Sequence, residues 1–266
     1  MRLLIRSSSR ASPAARSAAA WTARAPACIG ASTGGTRCSD ARRRRRASAL
    51  PTARRRGCSG DAPKACDEGA YALGLHGWAE WDTSETRFSY ESPTTPGQVF
   101  DYNMTTRERA LIKTQEIPSG HSVEDYVVRR IMAPSHDGAQ VPVTVMHHRD
   151  TPLDGTAPLY LYAYGSYGMS MPASFSIKRL SLADRGMITA TAHIRGGADM
   201  GYGWYLDGKM ERKTNTLHDF IAARDALVER GWVDGARVGA EGGSAGGMLM
   251  GAIANMAPEK FASIIG

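Results

Sequence analysis

The chain has 266 residues and a formal net charge of +7, yet residues 1–66 carry 15 Lys+Arg against two acids while residues 67–266 carry 18 against 24. The basic balance belongs to the first quarter, so the mildly acidic remainder gives no reason to expect nucleic-acid binding. No stretch approaches the roughly 18 apolar residues of a membrane-spanning helix, and Cys28, Cys38, Cys58 and Cys66 lack the C-x-x-C spacing of a zinc site.

Residues 1–66 contain 16 Ala, 14 Arg and 9 Ser, with arginine runs at Arg42–Arg46 and Arg54–Arg56. Such a composition cannot bury enough apolar surface to offset chain entropy, and disorder with unpaired thiols is expected. A transit peptide, an arginine-rich nucleic-acid arm and a GC-rich stretch read out of frame are the three readings of this segment. The apolar part of "MRLLIR" is too short for a secretory core. A cytoplasmic location is expected for the folded part.

From Tyr71 the pattern changes. "TRFSYESPTTPGQVFDYNM" alternates short β-type runs with turn signals at Ser92-Pro93 and Pro96-Gly97. Tyr126–Met132 and Val141–Met146 are expected to pair as a hairpin across a turn holding Asp137-Gly138. "PLYLYAYG" and "GMITATAHIRGG" are apolar runs ending in glycine and predict buried strands. Between them, Ile177, Leu180, Leu182 and Ala183 predict one face of a helix.

"TNTLHDFIAARDALVERGW" is the clearest helix, with Leu217, Phe220, Ile221, Leu227 and Val228 at helical spacing and Arg224 as the polar exception. Thr216, three residues before Asp219, reads as close to a capping box, and Gly231 as the C-terminal stop. "ARVGAEGG" predicts a further strand and "AGGMLMGAIANM" the helix after it. Strand–helix alternation of this kind implies an α/β fold with a mostly parallel sheet covered on both faces.

The strand–helix junction holds Gly242-Gly243-Ser244-Ala245-Gly246, a G-x-S-x-G sequence. A serine nucleophile on such a turn needs strained backbone angles and neighbours without bulk, so Gly242, Gly243 and Gly246 are expected to give the elbow its space. The N–H of Ala245 is then aimed where an oxyanion would form.

At this point the sequence resembles the prolyl oligopeptidase family of serine peptidases, and within it the oligopeptidase B branch. The resemblance rests on "YAYGSYGMSM", "SLADRG", "AHIRGGADMGYGWYLDGKM", "NTLHDF" and "GGSAGGMLMGAIANMAPEKF", in one order over Tyr160–Phe261. It implies an α/β-hydrolase catalytic domain preceded by a β-propeller, acting on short peptides after Arg or Lys, with no cofactor and no metal. Carried over by motif, Ser244 is the nucleophile, Tyr164 the hydroxyl donor to the oxyanion, and Ala245 the backbone donor. The implied organisation is a disordered segment at 1–66, a remnant of propeller strands at 71–124, and the N-terminal part of the catalytic domain at 125–266.

Two departures accompany the resemblance. The 22 residues after Ser244 contain no Asp or His. The triad order Ser…Asp…His therefore places both partners beyond Gly266, and the chain alone is expected to be inactive. Met171–Ser176 reads "MPASFS", without the acid that a basic substrate side chain would meet. His193 and His218 are expected to be structural, and the pair His147-His148, on a strand where neighbours face opposite ways and without a third ligand, is not expected to bind a metal. An esterase on the same fold, and a non-catalytic fragment or pseudo-enzyme with an arginine-rich arm, are the competing readings.

Overall fold

The structure, a computed structural model, describes residues 68–77, 80 and 82–266. The expectations for residues 1–66 lie outside the described residues. The described residues fall within one compact unit.

Its first part is a four-stranded antiparallel meander: β1 (Ala72–His76), β2 (Glu85–Glu91), β3 (Gln98–Asn103) and β4 (Arg109–Thr114) pair in chain order. Cross-strand pairs hold it, as sheets of this size require. Phe88 stacks on Phe100 with ring centroids 5.1 Å apart, and Arg87 forks onto both oxygens of Asp101 at 2.6 and 2.9 Å.

The second part is a six-stranded sheet built from β5 (Tyr126–Pro134), β6 (Gln140–His148), β7 (Ala157–Tyr162), β8 (Ile188–Ala192), β9 (Val233–Glu241) and β10 (Ser263–Ile265). Their order is β10-β9-β7-β8-β6-β5. β5 and β6 form the expected hairpin, with Tyr126 opposite His148 and Pro134 opposite Gln140. Its loop closes through Ser135 N–H to Ala139 O and Gly138 N–H to Ser135 O. β7, β8, β9 and β10 are mutually parallel where they pair, whereas β6 meets β8 antiparallel.

Helices cross between the parallel strands: α1 (Ile177–Ala183), α2 (Tyr202–Leu206), α3 (Lys213–Glu229) and α4 (Ala245–Met256). The core gathers Leu159, Leu161, Ile188 and Val238 from the sheet, Phe220 and Leu227 from α3, and Leu249 and Ile253 from α4. Each fully buried aliphatic or aromatic side chain of this kind contributes about 1.5–3 kcal/mol relative to exposure. In α1 the buried face is Leu180 and Ala183, and Ile177 points to solvent.

α3 differs from expectation at its start. It begins at Lys213, which puts Thr216 inside the helix, so Thr216 and Asp219 do not form a cap. Both are fully buried and face the loop after β8. Thr216 Oγ1 donates to Arg195 O at 2.8 Å, and Asp219 accepts from Arg195. Arg224, the polar exception on the apolar face, donates to Gly235 O and Lys260 O and so ties α3 to β9 and to the turn before β10. Gly231 stops the helix at φ +66°, with its N–H on Val228 O. Among the described residues no helix is long and apolar enough to cross a membrane.

Candidate active site

The carboxyl ends of β7, β8 and β9 lie together, and the chain turns sharply at each. After β9, Ser244 adopts φ +57° and ψ −119°, a conformation a residue with a side chain rarely holds, and α4 starts at the next residue. The turn is closed by Gly246 N–H on Gly243 O and Gly247 N–H on Ser244 O. The N–H of Ala245 donates to no acceptor among the described residues. Gly242 N–H donates to Ile265 O at 3.0 Å, so β10 fixes the foot of the elbow.

The space requirement holds at two of the three expected glycines. A Cβ on Gly242 would come within 2.7 Å of Gly246 O, and one on Gly246 within 3.1 Å of Ala163 O. A Cβ on Gly243 would meet nothing within 4 Å, so the crowding expected there is absent. The physical reason is direction: Gly243 faces out from the turn and is exposed, while Gly242 and Gly246 are buried against β7.

Tyr164 follows β7 and reaches the same turn. The Cβ position of Gly246 lies 3.7 Å from Tyr164 Cα and 3.8 Å from its ring, which sets the tyrosine against the elbow although 80 residues separate it from Ser244. Tyr164 is partly buried, and its hydroxyl has no hydrogen-bond partner among the described residues. A cavity of about 500 Å³ opens beside Ala245, lined also by Tyr167, Tyr205, Lys209, Met210 and Lys213, among others. Lys209 Nζ sits 4.7 Å from the Tyr205 ring centroid, and no carboxylate lines this cavity.

The cavity wall is held by a buried ionic network that sequence reasoning missed. Arg195, in the loop after β8, places Nε and Nη2 on Asp219 at 2.8 and 2.6 Å, and both its terminal nitrogens on Asp137. Asp219 also accepts from Arg195 N–H and from Ser135 Oγ. These hydrogen bonds hold Arg195 well above the usual guanidinium range and draw Asp137 down to about 2. The [ST]-x-x-[DE] spacing of Thr216 and Asp219 was the available signal, and it reads equally as a cap.

The histidines serve elsewhere. His193 is fully buried; Nδ1 meets Asp199 Oδ1 at 2.8 Å and Nε2 meets Thr144 Oγ1 at 2.8 Å and Arg130 Nη2 at 3.0 Å. His218 packs on His136, ring centroids 4.3 Å apart, in a cavity they share with Asp225 and Glu229. His147 is buried on β6, with Nδ1 against His148 O, and burial pushes its pKa down. Among the described residues no group of three His, Cys, Asp or Glu side chains is placed to hold a metal ion.

The sequence profile of the prolyl oligopeptidase family matches residues 173–266. Dipeptidyl aminopeptidase BI of Pseudoxanthomonas mexicana is 50% identical over 208 residues, which are 78% of this chain and 28% of that protein. Protease 2 of Moraxella lacunata is 38% identical over 75% of this chain and 29% of its own length. Among solved structures, oligopeptidase B from Trypanosoma brucei with covalently bound antipain superposes with a TM-score of 0.71 at 38% identity, over 74% of this chain and 28% of that one. Oligopeptidase B from Leishmania major gives 0.69 at 39% identity, over 73% and 27%. The chain spans less than a third of the length of these relatives.

Proposed function

This chain belongs to the prolyl oligopeptidase family, with the α/β-hydrolase fold of its structural neighbours, and from that premise we propose that Ser244 is the nucleophile of a serine peptidase acting on short peptides. The observation that carries the reading is the elbow: a serine held at φ +57° between strand and helix, next to an N–H without an acceptor among the described residues. Ser244 Oγ attacks the peptide carbonyl, and the carbonyl oxygen, now negative, takes hydrogen bonds from Ala245 N–H and the Tyr164 hydroxyl. The acyl-enzyme forms as the amine leaves, and water then releases the acid.

A serine hydroxyl needs a base to take its proton, and none of the described histidines is presented to the elbow on this reading. The proton acceptor is proposed to come from sequence not contained in residues 1–266, and the chain by itself to turn over peptides negligibly. Cleavage after Arg or Lys is carried by the resemblance to oligopeptidase B; the cavity beside Ala245 offers two lysines and no acid, so the acid would come from another wall. The meander over 72–114 is proposed to be propeller-derived.

The test is fluorophosphonate labelling of the purified chain, with Ser244→Ala as the blank and antipain as competitor. Slow labelling at Ser244 that antipain suppresses, without hydrolysis of an arginyl peptide amide, is the expected result. Rapid peptide turnover abolished by Ser244→Ala would overturn the assignment of the base. An alkyl ester turned over in place of the peptide would favour the esterase reading.

A further inference from the structure

Lys213 stands where helix electrostatics disfavours it. It is the first residue of α3, and a cation in a helix's first turn opposes the macrodipole. Its side chain is partly buried, burial alone lowers its pKa, and no carboxylate among the described residues pairs with it. Even a partly buried cation without a counter-ion is costly unless its hydrogen bonds are satisfied. The ammonium reaches across 48 residues to Gly165 O at 2.5 Å, and to Ser166 Oγ at 3.1 Å.

Gly165 directly follows Tyr164 and holds φ +66°; a Cβ there would fall 2.6 Å from Thr216 Cγ2 and 2.7 Å from Ile194 Cδ1. The same loop is pinned on its far side by Gly168 N–H on Gly196 O at 2.9 Å. The Tyr164 hydroxyl makes no bond of its own among the described residues, so its direction rests on the backbone that carries it and on the packing of its ring against the elbow and Tyr167. Lys213 and Ala245 line one cavity, which places this anchor on the wall where the oxyanion would sit.

We propose that Lys213 is a positioning residue for the oxyanion site: by holding the carbonyl of Gly165 and the hydroxyl of Ser166 it fixes the turn that aims Tyr164 at the carbonyl attacked by Ser244. The proposal rests on the reading of Tyr164 and Ser244 given above. It asks nothing of the lysine's proton chemistry, only of its two donated hydrogen bonds.

The experiment separates aim from folding. The chain is labelled with 3-fluorotyrosine, and the ¹⁹F resonance of Tyr164 is assigned by its loss in Tyr164→Phe. In Lys213→Met the Tyr164 signal is expected to shift or broaden while those of Tyr90 and Tyr102, in the meander, stay put. Lys213→Arg, which keeps donors at that reach, is expected to restore most of the wild-type position. Phosphonylation of Ser244 is expected to slow about 10–100-fold in Lys213→Met, in keeping with displacement or loss of one oxyanion donor. It should slow no further in Lys213→Met/Tyr164→Phe than in Tyr164→Phe alone. An unmoved Tyr164 resonance in folded Lys213→Met overturns the proposal, as do additive rate losses. Collapse of every tyrosine signal in both Lys213→Met and Lys213→Arg also overturns it, because the lysine would then hold the fold and not the tyrosine. If wild type is not labelled at Ser244 at all, the peptidase reading fails, while the resonance still decides the role of Lys213.

Discussion

Replacing Asp219 by Ala removes the centre of the network behind the site. The carboxylate is fully buried and accepts from Ser135 Oγ at 2.6 Å and from Arg195 N, Nε and Nη2 at 3.0, 2.8 and 2.6 Å. Each hydrogen bond to a charged group is worth about 1.5–3 kcal/mol, and removing one partner of a buried ion pair costs about 3–5 kcal/mol. Asp137 remains on Arg195 and spares it complete isolation, so the lower half of that range, about 3–4 kcal/mol, is expected. At about 2–4 °C per kcal/mol for a unit of this size, the thermal midpoint should fall by about 6–16 °C. Circular dichroism melts of wild type, Asp219→Ala and Asp219→Asn measure it, the amide keeping one acceptor and falling between the other two. A drop below about 2 °C for Asp219→Ala would show that the network is not a significant source of stability, and the argument from burial would be wrong.

Three further outcomes are expected. Gly242→Ala drives a methyl group to 2.7 Å from a backbone oxygen and should cost about 1–3 kcal/mol together with Ser244 labelling, whereas Gly243→Ala, in open space, should do neither; equal behaviour in melts and labelling refutes the packing account. Arg195 holds the Asp137 carboxyl at about 2, below the roughly 3.9 of an unfolded aspartate. Its contribution is therefore present above the unfolded value and lost as pH falls toward 2. Asp137→Asn should lower the melting midpoint at pH 6 and leave it unchanged near pH 2, and a loss that is the same at both pH values counts against the ion pair. Lys178 meets Glu241 at 2.6 Å but is 60% exposed, so Lys178→Ala should cost less than about 1 kcal/mol and leave labelling intact; lost labelling would mean that this surface pair anchors the elbow.

Much of the frame was legible because local pattern and tertiary role agree. Val141–Met146 and Tyr126–Met132 carry hairpin periodicity around an Asp-Gly turn, and the hairpin forms there. The elbow was legible because its glycines only make sense between a strand and a helix. What stayed hidden were choices that a linear pattern leaves degenerate. Thr216-x-x-Asp219 spells a cap and equally a buried pair, and only the approach of Arg195, 24 residues before Asp219, decides. Gly242 and Gly243 look alike in sequence, yet one abuts backbone and the other solvent. Lys213 left no trace, because a cap at Thr216 would put it ahead of the helix, and its partner carbonyl lies 48 residues away.

The distribution of backbone strain ties these particulars together. Among the described residues four non-glycines have positive φ: Arg107, Tyr167, Met210 and Ser244. Arg107 sits in the β3–β4 turn; Tyr167 and Met210 line the cavity beside Ala245, and Ser244 is its neighbour in the chain. Each such residue costs about 1–3 kcal/mol and persists only where its surroundings leave no relaxed alternative. Here the surroundings are specific. Lys213 and Gly196 hold the loop of Tyr167, Thr216 and Asn215 bind the carbonyls of Gly208 and Asp207 just before Met210, and Ile265 holds Gly242 before Ser244. Three strained turns thus meet at one cavity, two fastened from distant parts of the chain and the third by the first turn of α3. Strain placed at random would relax by local refolding. Strain fastened this way would keep Ser244, Tyr164 and the unengaged N–H of Ala245 at fixed separations, as the proposed oxyanion site requires.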